Sequence, residues 1–84
     1  MNTDSIKEQV RDIVLSVNRL DGSISTDVEL NNLGFDSLDV STIFAEIEDV
    51  FGLEVEIEIA MGLKTIDEIA VHLMEKLSIE QTRI

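Results

Sequence analysis

The sequence predicts an all-α fold, a small bundle built on amphipathic helices. Three observations carry this expectation. Apolar residues recur at helical spacing in three separate stretches, within 6–20, 40–51 and 66–77. Each stretch is preceded by Ser, Thr or Asp residues able to cap a helix start. The chain also contains no proline that would interrupt a helix. Its 84 residues allow a single domain, with a core at about 5–77 and a tail at 78–84.

The first stretch opens with Ser5-Ile6-Lys7-Glu8, which fits a capping box with Ser5 as the cap. Ile6, Val10, Ile13, Val14, Val17 and Leu20 follow as an apolar stripe. A helix is expected over residues 6–19, ended by Asp21-Gly22-Ser23. Residues 21–36 keep no clean period. They read as a long loop anchored by Ile24, Val28, Leu30 and Leu33, with room for a short turn at Asp27-Val28-Glu29-Leu30.

The loop delivers the chain to Leu33-Gly34-Phe35-Asp36-Ser37-Leu38-Asp39. Val40, Ile43, Phe44, Ile47, Val50 and Phe51 then share an arc of roughly 120° at about 100° per residue. Asp39, Thr42, Glu46 and Asp49 lie on the other side. Gly52 is a suitable stop and Asp36 or Ser37 a suitable cap. Ser37 is therefore expected in the first turn of a helix ending near Phe51. The free N–H groups and partial positive charge of a helix N-terminus favour a phosphate there. Leu38 falls within the polar arc, beside an accessible serine and among acids. It reads as a small apolar contact for a partner.

Charge is unevenly placed. The formal net charge is −12, and no Lys or Arg occurs between Leu20 and Leu63. The bases Lys7, Arg11, Arg19, Lys64, Lys76 and Arg83 all lie toward the two ends. Such a field repels nucleic acid and steers a basic protein surface toward the molecule. Acids on a small domain commonly serve only as a solvated face. Their clustering near Ser37 points instead to a docking surface made of Asp36, Asp39, Glu46, Glu48 and Asp49. Without cysteine there is no disulfide, thiolate metal site or cysteine nucleophile, which fits a reducing cytoplasm. No apolar run approaches the ~18 residues of a membrane span. The first residues lack the features of a signal peptide. A cytoplasmic, monomeric, free-standing protein is expected, one that starts at Met1.

Gly34-Phe35-Asp36-Ser37-Leu38-Asp39, followed by Ile43, Ala45, Ile47-Glu48-Asp49 and Phe51, resembles the acyl carrier protein family over residues 6–77. The resemblance implies that Ser37 carries covalent 4′-phosphopantetheine, transferred from coenzyme A by a phosphopantetheinyl transferase (holo-carrier synthase). The terminal thiol of the arm then holds acyl groups as thioesters for fatty-acid or polyketide-type biosynthesis. Asp36, Leu38 and Asp39 become the first docking contacts, and Glu46, Glu48 and Asp49 the acidic face of the recognition helix. Partners are the transferase and acyl-transferring or ketosynthase-type enzymes with basic docking surfaces. Neither nucleic acid nor membrane is a partner. Val40, Phe44 and Ala60 are candidates to line an inter-helix pocket for the acyl chain, although each also suits the core.

The pattern departs from the family in two respects. Thr42 stands where many fatty-acid-type carriers have an acid, and Glu46 adds one at a less usual place. The Gly-Phe-Asp-Ser-Leu version also resembles polyketide and peptidyl carriers. Strong acidity favours an acyl carrier over a peptidyl or aminoacyl one.

In Leu53-Glu54-Val55-Glu56-Ile57-Glu58-Ile59, the alternation from Glu54 argues for a strand, but a lone strand is poorly stabilised. The resemblance implies an extended loop and a short third helix at about 57–62, with Glu56 in the area where many family members have proline. Thr65-Ile66-Asp67-Glu68 is a second capping-box pattern. The last helix carries Ile66, Ile69, Ala70, Leu73 and Leu77, broadened by Val71 and Met74, and is expected to end near Leu77. The result is a four-helix bundle of three main helices and one short one.

Other chemistries fit less well. A serine hydrolase needs a base and an oxyanion site. The only histidine, His72, lies on the last helix, where a surface or boundary role is the ordinary one, and the second glycine of a nucleophile elbow is absent. No catalytic residue and no metal site are assigned. Glu54, Glu56 and Glu58, and the acids around Asp36, suit at most loose divalent-cation binding that relieves repulsion. A cofactor-free acidic interaction module explains the charge but not the serine at the loop-to-helix junction.

Overall fold

Among the described residues, four helices and one 3₁₀ turn form in chain order. They are α1 (Thr3–Asn18), the turn at Leu30–Leu33, α2 (Ser37–Phe51), α3 (Ile57–Gly62) and α4 (Ile66–Thr82). This computed structural model describes residues 3–18 and 24–82, with side chains over 3–17 and 24–78. The expected end of the first helix at Arg19, the anchor Leu20 and the stop at Asp21-Gly22-Ser23 lie outside the described residues.

The core is made by the predicted stripes. Ile6, Val10 and Val14 of α1 are buried with Ile43, Phe44 and Ile47 of α2 and Ile66, Ile69, Ala70 and Leu73 of α4. α1 packs against both α4 and α2. Among the described residues, two predicted stripe members are exposed. Val50 is 52% exposed and Val71 50% exposed. Val50 sits at the rim of the α2 arc, and Val71 lies well off the line of Ile66, Ala70, Leu73 and Leu77 on a helical wheel.

Two helix ends differ from expectation. α1 begins at Thr3, so Ser5 lies inside the helix and is not its cap. α4 continues to Thr82, past the expected end at Leu77, and the residues expected as a tail are helical that far. No glycine or proline follows Leu77 to stop it. The stop of α2 and the cap of α4 form as read. Gly52 ends α2 in the left-handed conformation, φ 68°. At the start of α4, Glu68 N–H donates to Thr65 Oγ1 at 3.1 Å, and Thr65 N–H donates back to Glu68 Oε1 at 3.1 Å. α3 begins at Ile57, preceded by extended Glu56. The alternating segment is a loop only over 53–56, where Leu53 and Val55 are buried, and its last residues form the start of α3.

The long loop is clipped to the start of α4. Leu30 N–H donates to Lys64 O at 2.9 Å, and Asp67 N–H donates to Thr26 O at 2.9 Å. Lys76 reaches the backbone carbonyl of Glu54 and ties α4 to the loop before α3. Among the described residues, no helix is long and apolar enough to cross a membrane.

An ion pair joins α1 to α4. Lys7 Nζ lies 3.1 Å from Asp67 Oδ1. A hydrogen bond from Thr26, then Lys7, holds the Asp67 carboxyl below the usual carboxylate range. A lowered folded-state pKa stabilises the fold above the unfolded value of about 3.9 and is lost as pH falls through the folded value. The side chains are partly exposed, so salt screens part of the effect. Urea midpoints of wild type and Asp67→Asn should therefore differ at neutral pH and converge as the pH falls below the unfolded-state value and through the lower folded-state one. A difference that persists at the lowest pH would contradict this assignment.

Candidate functional site

Gly34 turns the chain out of the 3₁₀ segment with φ 91°, a conformation that suits glycine. Its N–H donates to Asn31 O at 3.2 Å, and Phe35 N–H donates to Leu30 O at 3.2 Å. Phe35 is buried, which fixes the entry to α2. Asp36 is the N-cap. Asp39 N–H donates to Asp36 Oδ1 at 2.9 Å, and Asp36 N–H donates to Asp39 Oδ2 at 3.2 Å. Ser37 is thus the first helical residue, exposed, with its side chain free of the capping role. The helix N-terminus favours an anionic group at this place.

The acidic candidates divide into two kinds. Glu46 and Asp49 are exposed on α2 and make no ion pair among the described residues. Asp36 and Asp39 are also engaged in the capping box. Glu48 is half-buried and accepts Val55 N–H on Oε2 at 2.9 Å, so one carboxylate oxygen fixes the loop before α3. Leu38 is 74% exposed. It shares the outer face of α2 with Thr42, whose hydroxyl donates to Leu38 O at 3.1 Å. Glu46 and Asp49 continue the same face.

Beside Ser37 lies a groove of about 200 Å³ between the 3₁₀ turn, the start of α2 and α3. Asn31, Phe35, Val40, Ala60, Met61 and Lys64 are among its walls. A smaller chamber of about 110 Å³ lies between α2 and α3 and shares Val40, Ala60 and Met61 with the groove. Phe44, Ala45, Val55 and Ile57 are its other apolar walls, and Ser41 and Glu48 also line it. Val40, Phe44 and Ala60 are therefore both core residues and chamber walls. Asn31, Met61 and Lys64 carry no local sequence signal for this role, because only the folded chain brings them to Ser37.

The wider hollow, about 550 Å³, is an open depression at the far end of α2, lined by Glu48, Asp49, Glu54 and Glu56 among others. His72 lines a different hollow with Leu63, Asp67 and Glu75, and is not part of the Ser37 groove. Among the described residues, no group of three or more His, Asp or Glu is placed to hold a metal ion.

Ser37 thus combines an exposed hydroxyl, a helix N-terminus and an adjoining groove. The sequence profile of the family described as "Phosphopantetheine attachment site" matches residues 8–73. Comparison with curated proteins gives no match. Among solved structures, the chain is similar to BlmI, a type-II acyl carrier protein from Streptomyces verticillus involved in bleomycin biosynthesis. The TM-score is 0.81 at 17% identity, covering 89% of each chain. It is similar to a free-standing peptidyl carrier protein from a secondary metabolic pathway of Acinetobacter baumannii, with a TM-score of 0.82 at 23% identity, covering 90% of this chain and 96% of that one. It is also similar to a Mycobacterium tuberculosis protein designated an acyl carrier protein, with a TM-score of 0.73 at 27% identity, covering 79% of this chain and 90% of that one. These likenesses show the carrier-protein fold, and both acyl and peptidyl carriers share it. With its profile matched over most of its length, the chain belongs to the phosphopantetheine-attachment family of carrier proteins, which hold a cofactor-borne group and are not themselves catalysts.

Proposed function

We propose that Ser37 is the attachment residue and that the chain is an acyl carrier for short apolar acyl groups in fatty-acid or polyketide-type biosynthesis. The observation that carries this reading is the position of Ser37. It is exposed as the first residue of α2, and it opens onto a groove that leads to an apolar chamber. Loading forms a bond from Ser37 Oγ to the phosphorus of coenzyme A's pantetheine phosphate and breaks the pyrophosphate link. Adenosine bisphosphate leaves, and the serine proton passes to a base on the transferase. The attached arm supplies a thiol that holds the acyl group as a thioester. What this chain supplies is the anchor, the docking face and shelter. Tethering raises the local concentration of the cargo at each partner's active site.

The chamber sets the cargo. A dry apolar cavity of about 150 Å³ holds a benzene-sized molecule. A chamber of 110 Å³ therefore takes about four heavy atoms. Carriers loaded from acetyl-, butyryl-, dodecanoyl- and alanyl-coenzyme A test this by thermal unfolding. Butyryl should raise Tm by several degrees over acetyl, dodecanoyl no further than butyryl, and alanyl not at all, because its ammonium group is costly to bury. A rise that grows through dodecanoyl, or one equal for alanyl, would refute a short apolar cargo.

Transferase and ketosynthase-type partners with basic surfaces dock on Leu38, Asp36, Asp39, Glu46, Glu48 and Asp49 in this reading. Leu38→Ala should weaken loading while leaving stability within about 0.5 kcal/mol, since the side chain is 74% exposed. A large fall in Tm would instead make Leu38 a packing residue.

A further inference from the structure

We infer that Lys64 holds the phosphate end of the arm, laying the arm along the groove toward α3 instead of out into solvent. The inference rests on Ser37 as the attachment residue. Lys64 is the first base after a stretch, 20–63, that has none, yet the fold returns it to the groove that Ser37 also lines. Its position is fixed through backbone bonds. Lys64 O accepts from Leu30 N–H at 2.9 Å, and Leu30 O accepts from Phe35 N–H at 3.2 Å, two residues before Ser37. Lys64 N–H is itself held by Glu68 Oε1 at 2.8 Å. The backbone is thereby tethered while the ammonium group is left over. Among the described residues it makes no ion pair, although Glu29 and Asp36 line the same groove.

A phosphodiester on Ser37 changes the balance. It brings a negative charge next to Asp36, Asp39 and Glu29, and the helix N-terminus offsets only part of that repulsion. Lys64 is the one cation lining the groove among the described residues. An ammonium group is suited to phosphate as a point charge. Pairing there turns the arm toward Ala60 and Met61, the walls shared with the apolar chamber. Lys64 is thus a positioning residue, which sets where the arm rests between encounters.

Lys64→Met tests this, because both hydrogen bonds above are made by the backbone of Lys64 and survive the change. Wild type, Lys64→Met and Lys64→Arg are loaded with phosphopantetheine, and intact mass verifies each sample. Phosphorus NMR of the phosphodiester and the amide shifts of Met61, Leu63 and Lys64 are then compared before and after loading. Loading should move those amides in wild type and in Lys64→Arg. In Lys64→Met, or in wild type at high salt, the movement should fall to about half or less as the charge pairing is lost or screened. Equal phosphorus and amide shifts in wild type and Lys64→Met, with full mass gain in both, would overturn the role of Lys64 and leave Ser37 as the anchor. No mass gain in folded wild type would overturn both.

Discussion

Reversing Glu46 and Asp49 together to lysine should lower kcat/KM for loading by a phosphopantetheinyl transferase by about tenfold at low salt. Both side chains are exposed on α2, and neither forms an ion pair among the described residues. Their replacement therefore changes the field without removing an internal contact. The loss should come mainly through association rate, because charges at the rim of an interface govern encounter more than residence. Raising the salt to about 1 M shortens the screening length to about 3 Å and should bring the two rates together. Asp39→Lys is a poorer probe. It also breaks the reciprocal bonds with Asp36 at the start of α2, so a lost rate and a lost cap would be confounded. Equal loading of the Glu46→Lys/Asp49→Lys variant and wild type at low salt would remove the docking role of this face.

The second large effect is on stability. Ile47 is fully buried where α2 meets the core. Ile47→Ala should cost about 3 kcal/mol, the transfer term plus the cavity left behind. For a domain of this size, that lowers Tm by about 15 °C. The total stability of such a small domain is on the order of 5–10 kcal/mol, so the variant approaches the limit of folding. Val50→Ala, three residues on, serves as the control, since Val50 is half exposed and should cost well under 1 kcal/mol. Similar losses for the two variants in thermal melts would contradict the assigned packing of α2.

The helices were legible where local chemistry decides. Asp36, Ser37 and Gly52 bound α2, and Thr65 with Glu68 opens α4, because capping and left-handed stops depend on neighbours a few residues apart. The alternation of Glu54 to Ile59 misleads for a physical reason. A strand needs a pairing partner, and these residues instead bury Leu53 and Val55 and then wind into α3. The run of α4 to Thr82 was not legible from its apolar stripe, since the stripe marks the packed face and no glycine or proline follows Leu77 to stop the backbone. At the site, Ser37, Leu38 and the acids could be named from sequence. Asn31, Met61 and Lys64 could not, because the groove is made by segments that meet only in the folded chain. The structural duty of Glu48 toward Val55 is of the same tertiary kind.

The central claim, that Ser37 carries the arm, is tested most directly by intact mass after incubation with coenzyme A and a broad-specificity phosphopantetheinyl transferase. Folded, unmodified wild type should gain the mass of one phosphopantetheine, and Ser37→Ala none. No gain in wild type, or an equal gain in both proteins, would contradict it.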